Sequence, residues 1–257
     1  MRIAALQMRT VPGDPEANLA RIERAVREAA EKRVDLLIAP ELAVTGYGAG
    51  DTIQELAQPA AGEMAQRLGA LAEATGVAII AGFAERDGKS VYNSALLTKG
   101  PGQSTVYRKS HLYGHYERSL FSAERPSGRV IAFRGMKIGI LICYDVEFPE
   151  NVRRLARAGA QAVFVPTALP ASDHAAFIAR KMIPVRAFEN QIFVAYVNHC
   201  GADDRFAYAG LSGIAAPDGT MLAEAGMHDE ELLIAYLLPQ DYAASAAENT
   251  YLTDLRS

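Results

Sequence analysis

Apolar residues along the chain gather in two kinds of pattern. Short, largely apolar runs cover Ile3 to Met8, Val34 to Ala39, Val77 to Ala84, Val91 to Leu97, Lys137 to Cys143, Ala162 to Pro166, Ile192 to Val197 and Leu232 to Leu238. Their length and β-branched content predict strands, and the nearly continuous run before Cys143 predicts a sheet buried on both faces. Other apolar positions recur at helical spacing. Leu19, Ile22, Val26 and Ala29 give residues 15 to 32 one apolar face, and Asp14-Pro15-Glu16 supplies a cap, a first-turn proline and an acid at the positive end of the dipole. Residues 52 to 75, around Pro59, and the segments Pro149 to Ala158 and Ser172 to Glu189 also read as helices. Asp87-Gly88 and Pro217-Asp218-Gly219 mark hairpin turns. Strands alternating with helices predict an α/β fold, and the two hairpins break that rhythm in a way that favours two sheets over one. No linker or repeat divides the sequence, so residues 1–257 are expected to form a single domain.

Composition narrows the partners. The 257 residues carry 26 Lys+Arg against 30 Asp+Glu, a net charge of −4 with no basic run, which argues against nucleic acid. The longest unbroken apolar run, Leu232 to Leu238, is far below the ~18 residues of a spanning helix, and the first residues lack the apolar stretch of a signal peptide. Membrane insertion and export are therefore not expected. Two cysteines, Cys143 and Cys200, are too few for a disulfide scaffold and fit a reducing cytoplasm.

A few polar residues sit where strands end, the edge at which open α/β folds place their sites. Cys143 closes an apolar strand and leads through a polar turn toward a helix. It reads either as a small buried hydrophobe or as a nucleophile beside a helix start. Glu41 follows Leu36-Leu37-Ile38-Ala39-Pro40 and precedes Leu42-Ala43-Val44, so burial between apolar runs could raise its pKa toward that of a useful base. Lys109 stands beside Arg108 in a chain that otherwise prefers arginine, and Glu117 lies eight residues on; both are ordinary surface charges unless the fold buries them. Two other constellations stay open at this point: a Cys143–His111 pair, and a metal bound by His111 and His115, which Gly114 disfavours by spoiling the helix between them. Glycine-rich phosphate-binding motifs are absent.

Taken together, the Pro40-Glu41 strand end, Tyr107-Arg108-Lys109-Ser110-His111-Leu112, Ile140-Leu141-Ile142-Cys143-Tyr144-Asp145, Phe148-Pro149-Glu150, Val165-Pro166-Thr167 and Arg186-Ala187-Phe188-Glu189-Asn190 resemble the nitrilase superfamily of carbon–nitrogen hydrolases. The resemblance implies a four-layer αββα sandwich that pairs into homodimers or higher homo-oligomers. It also implies Glu41, Lys109 and Cys143 as a catalytic triad, with Glu117 as a second site glutamate. No metal or organic cofactor is implied. Tyr144 follows the nucleophile where many true nitrilases have tryptophan, and the chain contains no tryptophan. The sequence after Cys143 also lacks the arginine-containing stretch usual in N-carbamoyl hydrolases. Both features, and the absence of a long extension after Leu238, favour a small-carboxamide amidase that does not build filaments. Tyr47, Tyr116, Tyr144, Thr167 and Ala168 flank the catalytic segments and are candidates to line a substrate pocket. An ordinary glutamate and an ordinary cysteine differ by about 4 pKa units, roughly 6 kcal/mol against proton transfer, so such a site must raise Glu41, lower Cys143, or both.

Overall fold

The computed structural model describes residues 1–256. Five strands open the first sheet: β1 (Arg2–Gln7), β2 (Leu36–Ile38), β3 (Ala78–Asp87), β4 (Ser90–Thr98) and β5 (Ser104–Arg108). The second sheet holds β6 (Ile131–Phe133), β7 (Met136–Ile140), β8 (Ala162–Pro166), β9 (Phe193–Val197), β10 (Gly213–Ala215) and β11 (Met221–Glu224). The chain then returns to the first sheet as β12 (Glu231–Tyr236). The spatial orders are β12-β1-β2-β3-β4-β5 and β11-β10-β9-β8-β7-β6. In each sheet three central strands, β1-β2-β3 and β7-β8-β9, run parallel, and antiparallel strands flank them.

Period-2 alternation along the strands builds the layers. On β1, Ile3 and Ala5 point into the space between the sheets, whereas Ala4 and Leu6 point outward against helices α1 (Pro15–Glu31) and α3 (Glu63–Thr75). On β9, Phe193, Ala195 and Val197 face inward, while Val194 and Tyr196 face α5 (Pro149–Arg157) and α7 (Ile183–Phe188). The resulting helix–sheet–sheet–helix order is the predicted αββα sandwich. Each fully buried aliphatic or aromatic side chain at the inner faces contributes about 1.5–3 kcal/mol.

Several predicted boundaries differ from the structure. The helical stretch 52 to 75 is two helices, α2 (Thr52–Leu56) and α3, because Gln58 leaves the helix to bridge Glu85 at the end of β3. The helix expected over Ser172 to Glu189 is α6 (Ala175–Phe177) and α7 joined by a π-helical turn at Ile178–Met182. The strand predicted to reach Cys143 ends at Ile140. Edge strands β5 and β6 carry no clear apolar alternation and went unpredicted.

Three features bring the strand ends to one place. Strands β2 and β3 are parallel, and β5 regains their direction after two antiparallel pairings, so the residues after β2 and β5 emerge at one edge. Beyond the regular ladders Met8 pairs with His199 in parallel, and Cys200 N–H donates to Met8 O at 3.1 Å. That bridge fastens β1 to β9 across the two sheets and sets their C-terminal edges together. Helix α4 (Gly114–Leu120) then brings its first turn over this edge.

Candidate active site

Glu41, Lys109 and Cys143 each follow the end of a strand, and all three side chains are buried there with Glu117 of α4. The Glu41 loop is held tightly. Leu42 adopts φ +48°, and a Cβ on Gly82 of β3 would lie 2.2 Å from Leu42 N and 2.5 Å from Pro40 O, so only glycine fits beneath this loop. Across the sheet interface His199 Nε2 donates to Glu41 O at 2.6 Å. Burial lowers the His199 pKa to about 4, so the ring is neutral at pH 7 and serves as a plain donor.

Lys109 is anchored from the adjoining strand. Its N–H donates to Asn93 O at 2.8 Å, and the Asn93 amide donates to Glu41 Oε1 at 2.7 Å. The Lys109 ammonium lies between two carboxylates, 2.7 Å from Glu41 Oε1 and 2.6 Å from Glu117 Oε1. Burial opposes its charge, but Glu117 and Glu41 outweigh that and hold its pKa well above the usual lysine value. Lys109 is therefore a fixed cation.

The two glutamates are not equivalent. Glu117 is partnered on both oxygens: Lys109 and the Tyr47 hydroxyl, at 2.9 Å, donate to Oε1, and Tyr113 N–H donates to Oε2 at 2.8 Å. Glu41 receives both of its hydrogen bonds on Oε1, and Oε2 is buried without a partner. Burial raises the Glu41 pKa to about 7; Lys109 opposes that rise and Glu117 reinforces it. A carboxylate near half-ionisation at pH 7, with one free oxygen, has the electronic make-up of a general base.

Cys143 has φ +45°, an uncommon backbone conformation for a residue with a Cβ, at the start of a 3-10 turn (Cys143–Glu147). Burial pushes its thiol pKa well above the ordinary range; Glu41 and Glu117 add to this, while Lys109 and the backbone N–H of Ala168 oppose it. The resting sulfur is thus a neutral thiol within the field of all three charged groups.

Asp145 fixes that turn. Its fully buried carboxylate accepts from the Tyr107 hydroxyl at 2.8 Å, the Ser110 hydroxyl at 2.7 Å, His111 N–H at 2.8 Å and Ile142 N–H at 3.2 Å, with His111 Nδ1 also at 2.9 Å. It therefore ties the residues after Lys109 to those around Cys143. His111, engaged by Asp145 and stacked on Phe148 at 4.0 Å, belongs to this supporting cluster. It gathers no metal-binding group with His115: no set of three His, Cys, Asp or Glu among the described residues is placed to hold an ion.

The five pocket candidates have distinct surroundings. Tyr47 bonds Glu117, and Tyr116 donates to Tyr47 O at 2.6 Å while accepting from Gly50 N–H at 3.0 Å. The Tyr144 ring packs edge-on to Tyr113 and Phe148, at 5.2 and 4.9 Å. Ala168 supplies the N–H on Cys143, whereas Thr167 is fully buried and donates its hydroxyl to Val165 O at 2.9 Å. Sequence reasoning missed Asn93, His199 and the structural weight of Asp145. Asn93 had one signal, an amide within an apolar strand run, and Asn198-His199 stood as a polar pair at a buried strand's end.

A family model described as carbon-nitrogen hydrolase matches residues 2–247. A hydrolase encoded in the pqqF 5' region of Pseudomonas protegens is 44% identical over 100% of this chain and 89% of its own length. An (R)-stereoselective amidase of Pseudomonas sp. is 37% identical over 100% of this chain and 92% of its own. Among solved structures, an amidase from Nesterenkonia sp. AN1 superposes with a TM-score of 0.88 at 34% identity, covering 100% of this chain and 96% of that one. A mutant of that amidase was solved with the acetamide moiety of fluoroacetamide covalently added at its active site cysteine, again with a TM-score of 0.88, 34% identity and coverage of 100% and 94%. The full-length match, the αββα sandwich and these relatives agree: the chain belongs to the carbon–nitrogen hydrolase family.

Proposed function

We propose that this protein is an amidase that hydrolyses a small carboxamide to its carboxylic acid and ammonia through a thioester on Cys143. The observation that carries the reading is the asymmetry of the buried cluster. Lys109 is clamped between two carboxylates, of which Glu41 keeps a free oxygen, and burial raises the Glu41 pKa to about 7. Glu41 takes the thiol proton as Cys143 sulfur attacks the amide carbon. The negative oxygen of the tetrahedral adduct is held by Lys109 Nζ and the Tyr144 N–H, and a donor of this kind is typically worth about 3–4 kcal/mol. Collapse breaks the carbon–nitrogen bond as Glu41 returns the proton, and ammonia leaves. Water then adds to the thioester, giving its proton to Glu41, and breakage of the carbon–sulfur bond releases the acid and restores the thiol. Glu117 holds Lys109 and positions substrate and water, and the reaction as drawn calls on no metal or organic cofactor.

The relatives named as amidases and the covalently modified cysteine of the Nesterenkonia protein support the reaction class. Residues 1–257 act as one hydrolase domain in this reading. Exposed Phe177 and Val185 on α6 and α7, with exposed Tyr251 of the last helix (Tyr251–Asp254) packed edge-on to Phe188 of α7 at 5.7 Å, suit pairing of outer helical layers into a homodimer, which light scattering would measure directly. The two unpaired cysteines fit a cytoplasmic setting, and no described helix is long and apolar enough to cross a membrane. The deciding experiment is ammonia release from matched amides, nitriles and carbamoyl compounds by the wild type and Cys143→Ala. Release from amides, lost on the order of 10⁴-fold or more in a folded Cys143→Ala protein, is the expected result. Unchanged release by that variant would refute the mechanism, and turnover of nitriles but not amides would refute the substrate class.

A further inference from the structure

The mechanism leaves Asn93 of β4 without a task, although the fold sets it in the catalytic cluster. Side chains on a strand alternate between faces, so Asn93 shares its face with Ala95 and Leu97. Those two pack into the core between the sheets, the core that also holds Cys143. Asn93 is fully buried and is bonded to two other members of the cluster. Its backbone oxygen accepts the Lys109 N–H at 2.8 Å, and its amide donates to Glu41 Oε1 at 2.7 Å. The nucleophile is tied to the same place. Asp145 accepts from Ser110 N–H and from Ile142 N–H, each at 3.2 Å, so the neighbours of Lys109 and Cys143 hang on one carboxylate.

The free ends of this pair are what call for a ligand. Glu41 Oε1 is an acceptor that also takes a proton from Lys109, so the Asn93 amide must present its N–H there and keep its oxygen elsewhere. Asn93 Oδ1 is buried without a hydrogen-bond partner among the described residues, and so is Glu41 Oε2. The bond between the two side chains holds these free oxygens within about 7 Å of each other. An NH2 group bridges acceptors about 5 Å apart. Buried polar atoms in folded proteins are ordinarily bonded, and two lone acceptors on bonded neighbours in a catalytic cluster are costly unless a ligand brings both donors. The donor group must be neutral, because Lys109 Nζ already stands 2.7 Å from Glu41 and repels a second cation.

We propose that Asn93 Oδ1 and Glu41 Oε2 form a two-acceptor cradle for the NH2 of the substrate, which makes Asn93 the residue that selects unsubstituted carboxamides. This rests on the amidase reading and assigns the recognition of its leaving group. In the bound amide one N–H donates to each oxygen. When Cys143 sulfur adds to the carbon, Glu41 Oε2 takes the thiol proton and the nitrogen becomes pyramidal. Asn93 Oδ1 keeps its N–H, which turns the new nitrogen lone pair toward the proton on Oε2. That proton moves to nitrogen as the carbon–nitrogen bond breaks, and the bonding pair leaves on ammonia. Esters and nitriles bring no N–H and leave both oxygens unsatisfied.

The test measures binding without turnover, so that a contact is separated from an effect on proton transfer. Full-length Cys143→Ala protein is titrated by NMR with butyramide and with 2-pentanone, which keeps the carbonyl and the propyl chain but has a methyl group in place of NH2. Butyramide should bind about tenfold or more tightly. Adding Asn93→Leu, which keeps the size but removes the acceptor, should erase about tenfold of that preference while ketone affinity holds. Should that variant fail to fold, Asn93→Ala reads the same ratio. Adding Asn93→Asp instead, which keeps an acceptor oxygen, should retain most of the preference. Equal affinity for amide and ketone would mean that solvent serves the two oxygens and would overturn the cradle. A preference untouched in Asn93→Leu and Asn93→Ala would also overturn it, reducing Asn93 to a support of Glu41. Either result leaves the amidase reading intact as long as the wild type releases ammonia from small amides. No ammonia from butyramide or any other small amide would overturn that reading, and this proposal with it.

Discussion

Two buried carboxylate clusters lie side by side at the joined edges of the sheets, and they are satisfied to different degrees. Asp145 accepts from four different residues, Tyr107, Ser110, His111 and Ile142, and both of its oxygens are engaged. Glu41 receives only Asn93 and Lys109, both on one oxygen, and the other oxygen faces no donor. Full satisfaction makes the first cluster a brace, since a carboxylate with every lone pair occupied has nothing to offer a substrate. The incomplete second cluster stores a proton-accepting site at a pKa near 7. Under the proposed mechanism, the contrast separates residues that shape the site from the residue that exchanges its proton.

The sharpest way to break this contrast is to remove the cation shared by the two glutamates. Lys109→Met leaves Glu41 and Glu117 facing each other without a counter-charge in a fully buried site. We expect a loss of about 3–5 kcal/mol in unfolding free energy, read by urea titration, and ammonia release below detection. Asp145→Ala strips the acceptor from the supporting donors and should cost about 2–4 kcal/mol by the same titration. Its catalytic defect should follow from a displaced Cys143 turn, so alkylation of Cys143 should change along with stability. The smallest effect concerns pH. Glu41 rises from 4.5 to about 7 on folding, so the folded protein holds a proton that the unfolded chain releases in this window. The associated stability is fully present below about pH 4.5 and is lost as pH climbs through about 7. Glu41→Gln lacks that proton, so its melting temperature relative to wild type should rise across the window; a constant difference would count against the raised pKa.

The sequence carried the layered fold well because its information is local. Apolar runs and helical spacing mark β1, α1 and β7 to β9 in residues that lie next to one another in the chain. Edge strands β5 and β6 escaped because neither holds a fully buried residue on either face, which blurs the alternation. The site was legible only in part for the same reason. Glu41, Lys109 and Cys143 stand at strand ends, a position that sequence reveals, and the resemblance joined them with Glu117. Asn93 and His199 act on Glu41 across sequence separations of 52 and 158 residues, and nothing in either neighbourhood announces the partner. The one-sided bonding of Glu41 is likewise a property of the assembled pocket, invisible until the donors around both glutamates are known.

The central claim is that Glu41, not His111, exchanges the proton with Cys143. The most direct test is the pH dependence of ammonia release from butyramide by wild type and Glu41→Gln. Wild-type kcat/KM should climb with an apparent pKa near 7 as Glu41 ionises. A folded Glu41→Gln protein should lose about 10³-fold and show no such limb. Near-wild-type rates in Glu41→Gln, with the limb retained and then abolished by His111→Ala, would contradict the account and transfer the base to the cluster read here as a brace.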